Sequence, residues 1–145
     1  GDLFLKDRGI GDDDCVAIAP LLGQNRVLRQ LHIGHNSLGD VGAAAICRAL
    51  ADGGSPIELL GLRRCQIGDG GAEALAELVR ASRKLAHVDV DQNRIGDAGA
   101  EALAATLAEC PSLRHLYIGG NRIGDAGRSK LADAAGPDLQ VHFSR

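Results

Sequence analysis

The sequence has almost no aromatic residues: phenylalanine, tyrosine and tryptophan together make up 2% of its 145 residues, and tryptophan and methionine are both missing. A globular sandwich usually fills its core with such large side chains. Alanine, leucine and glycine dominate here instead, and a core built from small side chains must be thin, with closely approaching elements. The composition therefore favours a stacked solenoid.

Long apolar runs and an excess of positive charge are also missing. The longest apolar stretches, such as residues 43–46, are far shorter than the roughly 20 residues of a membrane-spanning helix, and no segment resembles a signal peptide. The net charge is −3, with both signs interspersed, whereas a nucleic-acid-binding arm needs a basic excess to neutralise phosphates. We therefore expect neither a membrane nor a nucleic acid as a partner.

The four cysteines include no pair separated by two residues, so neither a zinc knuckle nor a redox pair is visible. Each of them falls at a repeat position that suits a small buried side chain: Cys15, Cys47, Cys65 and Cys110. We expect free thiols, which persist in reducing compartments and predict a cytoplasmic protein. Nothing in the sequence indicates a cofactor.

One phrase recurs five times along the chain. Ile-Gly-Asp begins at residues 10, 67, 95 and 123, and Leu-Gly-Asp begins at residue 38, so successive copies are 28 or 29 residues apart. Two residues before the copies stand Arg8, Asn36, Cys65, Asn93 and Asn121. Upstream of these are alternating aliphatic pairs: Leu3 and Leu5, Leu31 and Ile33, Leu60 and Leu62, Val88 and Val90, Leu116 and Ile118. A constant period of this size indicates a repeat architecture.

Each repeat predicts a strand, a turn, a helix and a return loop. The alternation is typical of a short strand with one buried face, and an asparagine can donate and accept hydrogen bonds in the turn. Arg8 fits that position poorly, so we expect an irregular first turn. Pro20 should kink or shorten the first helix. The aspartates of the Gly-Asp phrase are predicted N-caps: Asp40, Asp69, Asp97 and Asp125.

Stacking the copies predicts an α/β solenoid, a right-handed curved arc of about five strand–helix repeats with a parallel inner sheet and outer helices. Leu139, Val141 and Phe143 alternate as a last strand. The chain begins in a strand and shows no polar end cap. We therefore expect residues 1–145 to be a single domain that is a piece of a longer array or protein.

The pattern L-x-x-L-x-L-x-x-N/C-x-L, and Ile-Gly-Asp-Ala-Gly-Ala-Glu-Ala-Leu at residues 95–103, resemble the ribonuclease-inhibitor-like subfamily of leucine-rich repeats over residues 3–143. The resemblance implies a leucine-rich-repeat solenoid that acts as a non-enzymatic scaffold for a protein partner. The same subfamily includes the Ran GTPase-activating protein and the sensor arms of NOD-like receptors. Two alternatives therefore stay open: a GTPase-activating protein of the Ran-activator type, whose acidic tail is missing at residues 141–145, or the sensing arm of a larger receptor or effector.

Partner binding is expected on the inner sheet face, between the buried aliphatic positions. The candidate residues are Phe4, His32, Arg63, Arg64, His87, Asp89, Asp91, His115 and Tyr117. Outward aromatic residues such as Phe4 and Tyr117 are typical of binding hot spots. The alternative is that scattered exposed aromatics are ordinary, or that N-terminal sequence covers Phe4.

His87, Asp89, His115 and Tyr117 should lie together, since neighbouring strands are about 4.8 Å apart. Two imidazoles and a carboxylate could bind a metal or perform acid–base chemistry. An open sheet supplies no enclosed pocket, however, and we expect Arg63 and Asp91 to pair across strands. The sequence therefore predicts neither a metal site nor an enzyme, and it leaves the partner's identity and the oligomeric state open.

Overall fold

The computed structural model describes residues 1–144, which alternate regularly between short strands and helices. The strands are β1 (Asp2–Phe4), β2 (Gln30–His32), β3 (Leu59–Gly61), β4 (His87–Asp89), β5 (His115–Tyr117) and β6 (Gln140–His142). The helices are α1 (Asp12–Gln24), α2 (Gly39–Asp52), α3 (Asp69–Ala81), α4 (Asp97–Ala104) and α5 (Asp125–Ala134), with a 3₁₀ turn at Leu107–Glu109.

The six strands form one parallel sheet in chain order, and their residues pair in a constant register. The middle residue of each inner strand is fully buried, for example Leu31, Leu60 and Val88. Each helix packs on the next helix, and the core lies between the helices and the sheet. This arrangement confirms the predicted α/β solenoid and adds a sixth strand to five strand–helix repeats. Within residues 1–144, no helix is both long and apolar enough to cross a membrane.

The asparagines satisfy backbone groups of their turns, as predicted, and they also bind the turns of adjacent repeats together. The Asn93 Nδ2 group donates to the carbonyls of Leu62, Val90 and Asp91 at 2.9–3.2 Å. Its Oδ1 atom accepts from the Cys65 and Ile67 amides at 2.9 and 3.0 Å. One side chain therefore satisfies five backbone groups in two turns, which a buried turn requires because unpaired backbone groups are costly.

Two expected irregularities of the first repeat are smaller than predicted. The Arg8 side chain is exposed, but its backbone amide and that of Ile10 still donate to the Asn36 Oδ1 atom at 3.0 and 2.9 Å. The first turn therefore keeps the inter-repeat bonds. Pro20 lies in the interior of α1 on its exposed side, and α1 has 13 residues, as many as α3. Pro20 therefore does not shorten the helix, and the alternative that it kinks the helix stays a prediction.

The helix-opening aspartates do not cap their own helices, which corrects the sequence prediction. The N-caps of α3, α4 and α5 are glycines in extended conformation, and the aspartate is the first helical residue. From that position a side chain does not turn back to its own helix start as an N-cap residue does. Instead, the Asp69 Oδ1 atom accepts from the Gly96 and Gly99 amides of the next repeat at 2.8 and 2.9 Å. Asp40 does the same for Gly68 and Gly71.

The glycine two residues after each of these aspartates makes the inter-repeat cap possible. A Cβ atom on Gly99 would lie 2.7 Å from the Asp69 Oδ1 atom and 2.9 Å from the Ala72 Cβ atom. Both distances are too short for real contacts, so the approach of adjacent helix starts requires glycine. The Gly-Asp-x-Gly phrase is therefore a packing and capping unit that spans two repeats.

The outer surface carries exposed ion pairs between adjacent repeats. Arg48 and Glu77 are 2.9 Å apart, and Arg80 and Glu109 are 3.0 Å apart. Lys130 and Glu101 form a similar pair at 2.7 Å. Because both partners are solvated, each pair contributes at most about 1 kcal/mol. The ion pairs therefore add little to the packing of the repeats.

All four cysteines are buried and free, as expected. Cys65 takes the place of an asparagine in the turn, and its thiol lies 3.4 Å from the Ile33 carbonyl, to which it donates a weak hydrogen bond. Burial raises the pKa of Cys15 and Cys65 to about 11 and that of Cys47 to about 12. These three thiols are therefore held in their neutral form inside the core.

We expect Asp69→Ala to lower the free energy of unfolding by about 0.5–2 kcal/mol, because it leaves two helix-start amides without their acceptor. Asp125→Ala is the matched control: Asp125 holds the same repeat position, but β6 follows α5 without a further helix in residues 1–144. Its effect should be below about 0.5 kcal/mol. Urea denaturation measures both, and equal losses would contradict the inter-repeat cap.

We also expect stability to fall at alkaline pH under reducing conditions. The pKa of Cys47 is 9.0 when exposed and about 12 when buried, so unfolding releases protons above about pH 9. The stability that comes from burying the neutral Cys47 thiol is therefore complete below pH 9 and is lost as the pH rises toward 12. Denaturation midpoints at about pH 7.5 and about pH 10 should show this fall. The fall should be smaller in Cys47→Ala, and an equal fall would argue against the thiol as its cause.

Candidate functional site

The sheet presents two rows of side chains on the face opposite the helices. Because the middle residue of each inner strand is buried, the first and third residues point to the other side. We call this side the inner face, since helices need more width than strands and the sheet must lie on the inside of the arc. The first-residue row is Asp2, Gln30, Leu59, His87, His115 and Gln140, and the third-residue row is Phe4, His32, Gly61, Asp89, Tyr117 and His142.

Four planar side chains form a stacked ring cluster over β4, β5 and β6. The rings of His87 and His115 are 4.7 Å apart, and those of Tyr117 and His142 are 4.3 Å apart and tilted by only 10°. The His115 Nδ1 and His142 Nε2 atoms lie 3.1 Å apart and share a hydrogen bond. The register thus brings together His87, His115 and Tyr117 with Asp89 beside Tyr117, the neighbourhood that the sequence predicts.

His142 is a member of the ring cluster that the sequence analysis missed. The alternation of Leu139, Val141 and Phe143 correctly indicates a last strand. The same alternation turns His142 toward the inner face, opposite Tyr117. The signal was therefore present, but it was used only for the buried residues.

A second stack lies over β1 and β2. The rings of Phe4 and His32 are 4.6 Å apart and tilted by 12°, and Phe4 is 58% exposed. The His32 Nε2 atom lies 3.0 Å from the Gln30 Oε1 atom, which orients the imidazole ring. Phe4 and His32 are therefore presented together on the inner face.

Between the two stacks, the sheet has two adjoining depressions with Gly61 in both. One has a volume of about 220 Å³ and is lined by Lys6, His32, Gly34, His35, Gly61, Arg63 and Asp89. The other has a volume of about 190 Å³ and is lined by His32, Leu59, Gly61, His87, Asp89 and Tyr117. Gly61 is an outward position that carries no side chain, so its residue type gave the sequence analysis no sign of a role.

The turn end of the first depression is basic. Burial and the positive charges of Lys6, Arg64 and Arg63 lower the pKa of His35, against the opposing effect of Asp7. Arg64 is exposed, whereas the Nε atom of Arg63 is buried without a hydrogen-bond partner. Of the two predicted residues, Arg63 thus lines the depression, whereas Arg64 lines a separate recess with Asp7 and His35.

Two predicted site residues also hold the turn. Asp91 is only 5% exposed, and its Oδ1 atom accepts from the Gly119 amide at 2.8 Å. The Asp89 Oδ1 atom accepts from the Asp91 amide at 3.0 Å. Asp89 is half-buried and lines both depressions, so Asp91 contributes more to the turn than to the accessible surface. The pairing of Arg63 with Asp91 stays a prediction.

Within residues 1–144, no group of three histidine, cysteine, aspartate or glutamate side chains is placed to hold a metal ion. The arrangement of the rings in the ring cluster explains why its histidines are not placed to hold a metal ion. The His115 and His142 rings are stacked with a tilt of 22°, and the His87 and His115 rings are tilted by 35°. The nitrogen lone pairs of an imidazole lie in the plane of its ring. Stacked imidazoles therefore cannot all direct a nitrogen to one tetrahedral ion.

Comparison with known proteins identifies the repeats. The family model described as Leucine Rich repeat matches residues 24–47, 57–76, 81–104 and 109–132. Pig (Sus scrofa) ribonuclease inhibitor is 32% identical over 91 residues, which cover 63% of this chain and 20% of that protein. Human NACHT, LRR and PYD domains-containing protein 12 is also 32% identical over 91 residues, 63% of this chain and 9% of its own length. The chain thus spans a fifth or less of these relatives.

A solved structure shares the fold at low sequence identity. The leiomodin-1 actin-binding site 2 structure superposes with a TM-score of 0.72 and 16% identity, and it covers 92% of this chain and 77% of that chain. At this identity the likeness concerns the architecture alone.

We expect the protein to bind no stoichiometric zinc, because the ring cluster is held by stacking and by the His115–His142 hydrogen bond. Titration calorimetry with zinc should give no saturable heat, and a chelator should leave the melting temperature unchanged. A micromolar affinity that disappears in His115→Ala would show that the rings rearrange around a metal.

Proposed function

The chain belongs to the leucine-rich-repeat family, in its ribonuclease-inhibitor-like subfamily, and from this starting point we propose a non-enzymatic scaffold that binds a protein partner on its inner face. The partner-contacting residues would be Phe4, His32, Arg63, Arg64, His87, Asp89, Asp91, His115 and Tyr117, with His142 added to them.

The ring cluster is the observation that carries this proposal. Its four rings lie outside the hydrophobic core and are only half-buried. Binding interfaces are enriched in such aromatic groups and in arginine. Because the rings already hold one another in place, they would lose little conformational entropy when a partner docks. A preorganised aromatic surface of this kind is suited to bind a protein.

The two alternatives would use the same face in a different parent protein. A sensing arm of a larger receptor is supported by the human NACHT-containing relative, in which the matched repeats are only 9% of the length. A GTPase-activating protein of the Ran type would hold a GTPase on the inner face. The identity of a captured partner separates these cases.

The experiment is capture of partners from the source organism's lysate by the immobilised chain and two double variants. His87→Ala with Tyr117→Ala removes two rings of the cluster. Val41→Ala with Glu73→Ala changes exposed residues on the outer helices α2 and α3 and serves as the control. We expect a partner bound by the wild type and the control, and binding at least about tenfold weaker in the ring variant.

Circular dichroism should show that both double variants melt as cooperatively as the wild type. A partner that binds the ring variant and the wild type equally, but is lost in the outer-helix control, would move the site to the helices and contradict the proposal.

A further inference from the structure

The third-residue row of the inner face has one position without a side chain. Its members are Phe4, His32, Gly61, Asp89, Tyr117 and His142, one on each strand. Measured ring spacings within the row are 4.6 Å for Phe4–His32 and 4.3 Å for Tyr117–His142, close to the roughly 4.8 Å between strands. His32 and Asp89 flank Gly61 on two sides, so the gap between them has room for one planar group at stacking distance.

The fold does not require glycine at this position. A Cβ atom on Gly61 would meet nothing closer than the His32 Nδ1 atom at 3.6 Å, which is ordinary contact. Gly34 and Gly119 lie two residues after His32 and Tyr117. They differ from Gly61 because their Cβ atoms would clash with the backbone of Arg63 and Phe143. Glycine inside a strand costs stability, and it often marks a place where another molecule approaches closely. The main consequence of Gly61 is therefore the gap itself.

We propose that the Gly61 gap receives an aromatic side chain of the protein partner, next to an acidic residue that faces Lys6 and Arg63. This inference rests on the proposed function and names the chemistry by which the inner face recognises its partner.

Stacking favours an aromatic guest over other side chains. Phe4 covers one face of the His32 ring, and the other side of His32 borders the gap. Leu59 and the Gly61 backbone provide an apolar floor, and His87 and Tyr117 line the far side. An inserted ring would extend the Phe4–His32 stack by one ring, with Asp89 on its other side, whereas an alkyl side chain would fill the same space without stacking.

Charge defines the second part of the proposal. Lys6 and Arg63 line the turn end of the gap, and together with Arg64 they lower the pKa of His35 by their positive charge. The carboxylates on that side, Asp89 and Asp91, already accept backbone amides. These two carboxylates keep their negative charge, but an acidic residue of the partner placed at the turn end would meet the side-chain donors of Lys6 and Arg63.

The first test uses four synthetic peptides and the isotope-labelled full chain in an NMR titration. The parent is acetyl-Gly-Ser-Glu-Tyr-Glu-Ser-Gly-amide; in the others, leucine replaces tyrosine, arginine replaces tyrosine, or lysines replace both glutamates. We expect the parent peptide to shift the Gly61 and His32 resonances and to bind about fivefold more tightly than the leucine peptide, as expected for one stacked ring. The arginine and lysine peptides should bind more weakly still.

Equal binding of the leucine peptide would refute the aromatic guest, and tighter binding of the arginine peptide would assign the gap to a cation. Parent-peptide shifts confined to residues away from Gly61 would also overturn the inference. These comparisons use the unchanged chain and do not depend on the folding of a variant.

The second test fills the gap. Gly61→Val should reduce binding of the parent peptide at least about fivefold, while the matched control Gly136→Val, where a Cβ atom meets open space, should not. A captured partner that binds wild type and Gly61→Val equally, but loses affinity for the ring variant, would refute the gap and leave the scaffold standing. A partner unaffected by the ring variant would instead refute the scaffold.

Discussion

The turn between strand and helix depends on its neighbour, because one repeat alone cannot pair all the backbone groups buried there. Asn93 bonds to groups of its own turn and of the preceding one, and Asp69 caps the helix of the repeat that follows it. The hydrogen bonds therefore run in both directions across the junctions between the third, fourth and fifth repeats. Stability in such an array resides largely in the interfaces between adjacent repeats.

The same dependence fixes the inner face. Because the hydrogen bonds align each turn with the next, adjacent strands pair in a constant register. Residues one repeat apart in sequence therefore lie side by side on the sheet. His87 lies opposite His115 for this reason, and their rings come within 4.7 Å. The site is thus a consequence of the repeat period: identical backbone positions carry different side chains, and the period determines which of them touch.

The residues predict the fold well because the period, the strand alternation and the asparagine positions all point to one architecture. Features that depend on how one repeat is placed against the next could not be predicted from the sequence in the same way. The sequence identifies Asp69 as a capping residue but does not show that its partner is the next helix. His142 was missed because the alternation of the last strand was used only for its buried residues. The role of Gly61 could not be predicted, because the sequence does not show which side chains flank this glycine in the folded chain.

The use of aromatic residues completes the physical argument for an inner-face site. The core is closed by leucine, isoleucine, valine, alanine and cysteine, and within residues 1–144 every fully buried position is filled without an aromatic ring, while the half-buried Phe143 packs against the core. Yet Phe4 is 58% exposed, and Tyr117 stacks on His142 outside that core. Rings placed there add little to the burial that stabilises the repeats. Their cost in exposed apolar surface is explained if another protein covers them, because large aromatic side chains contribute most of their binding energy once they are desolvated at an interface.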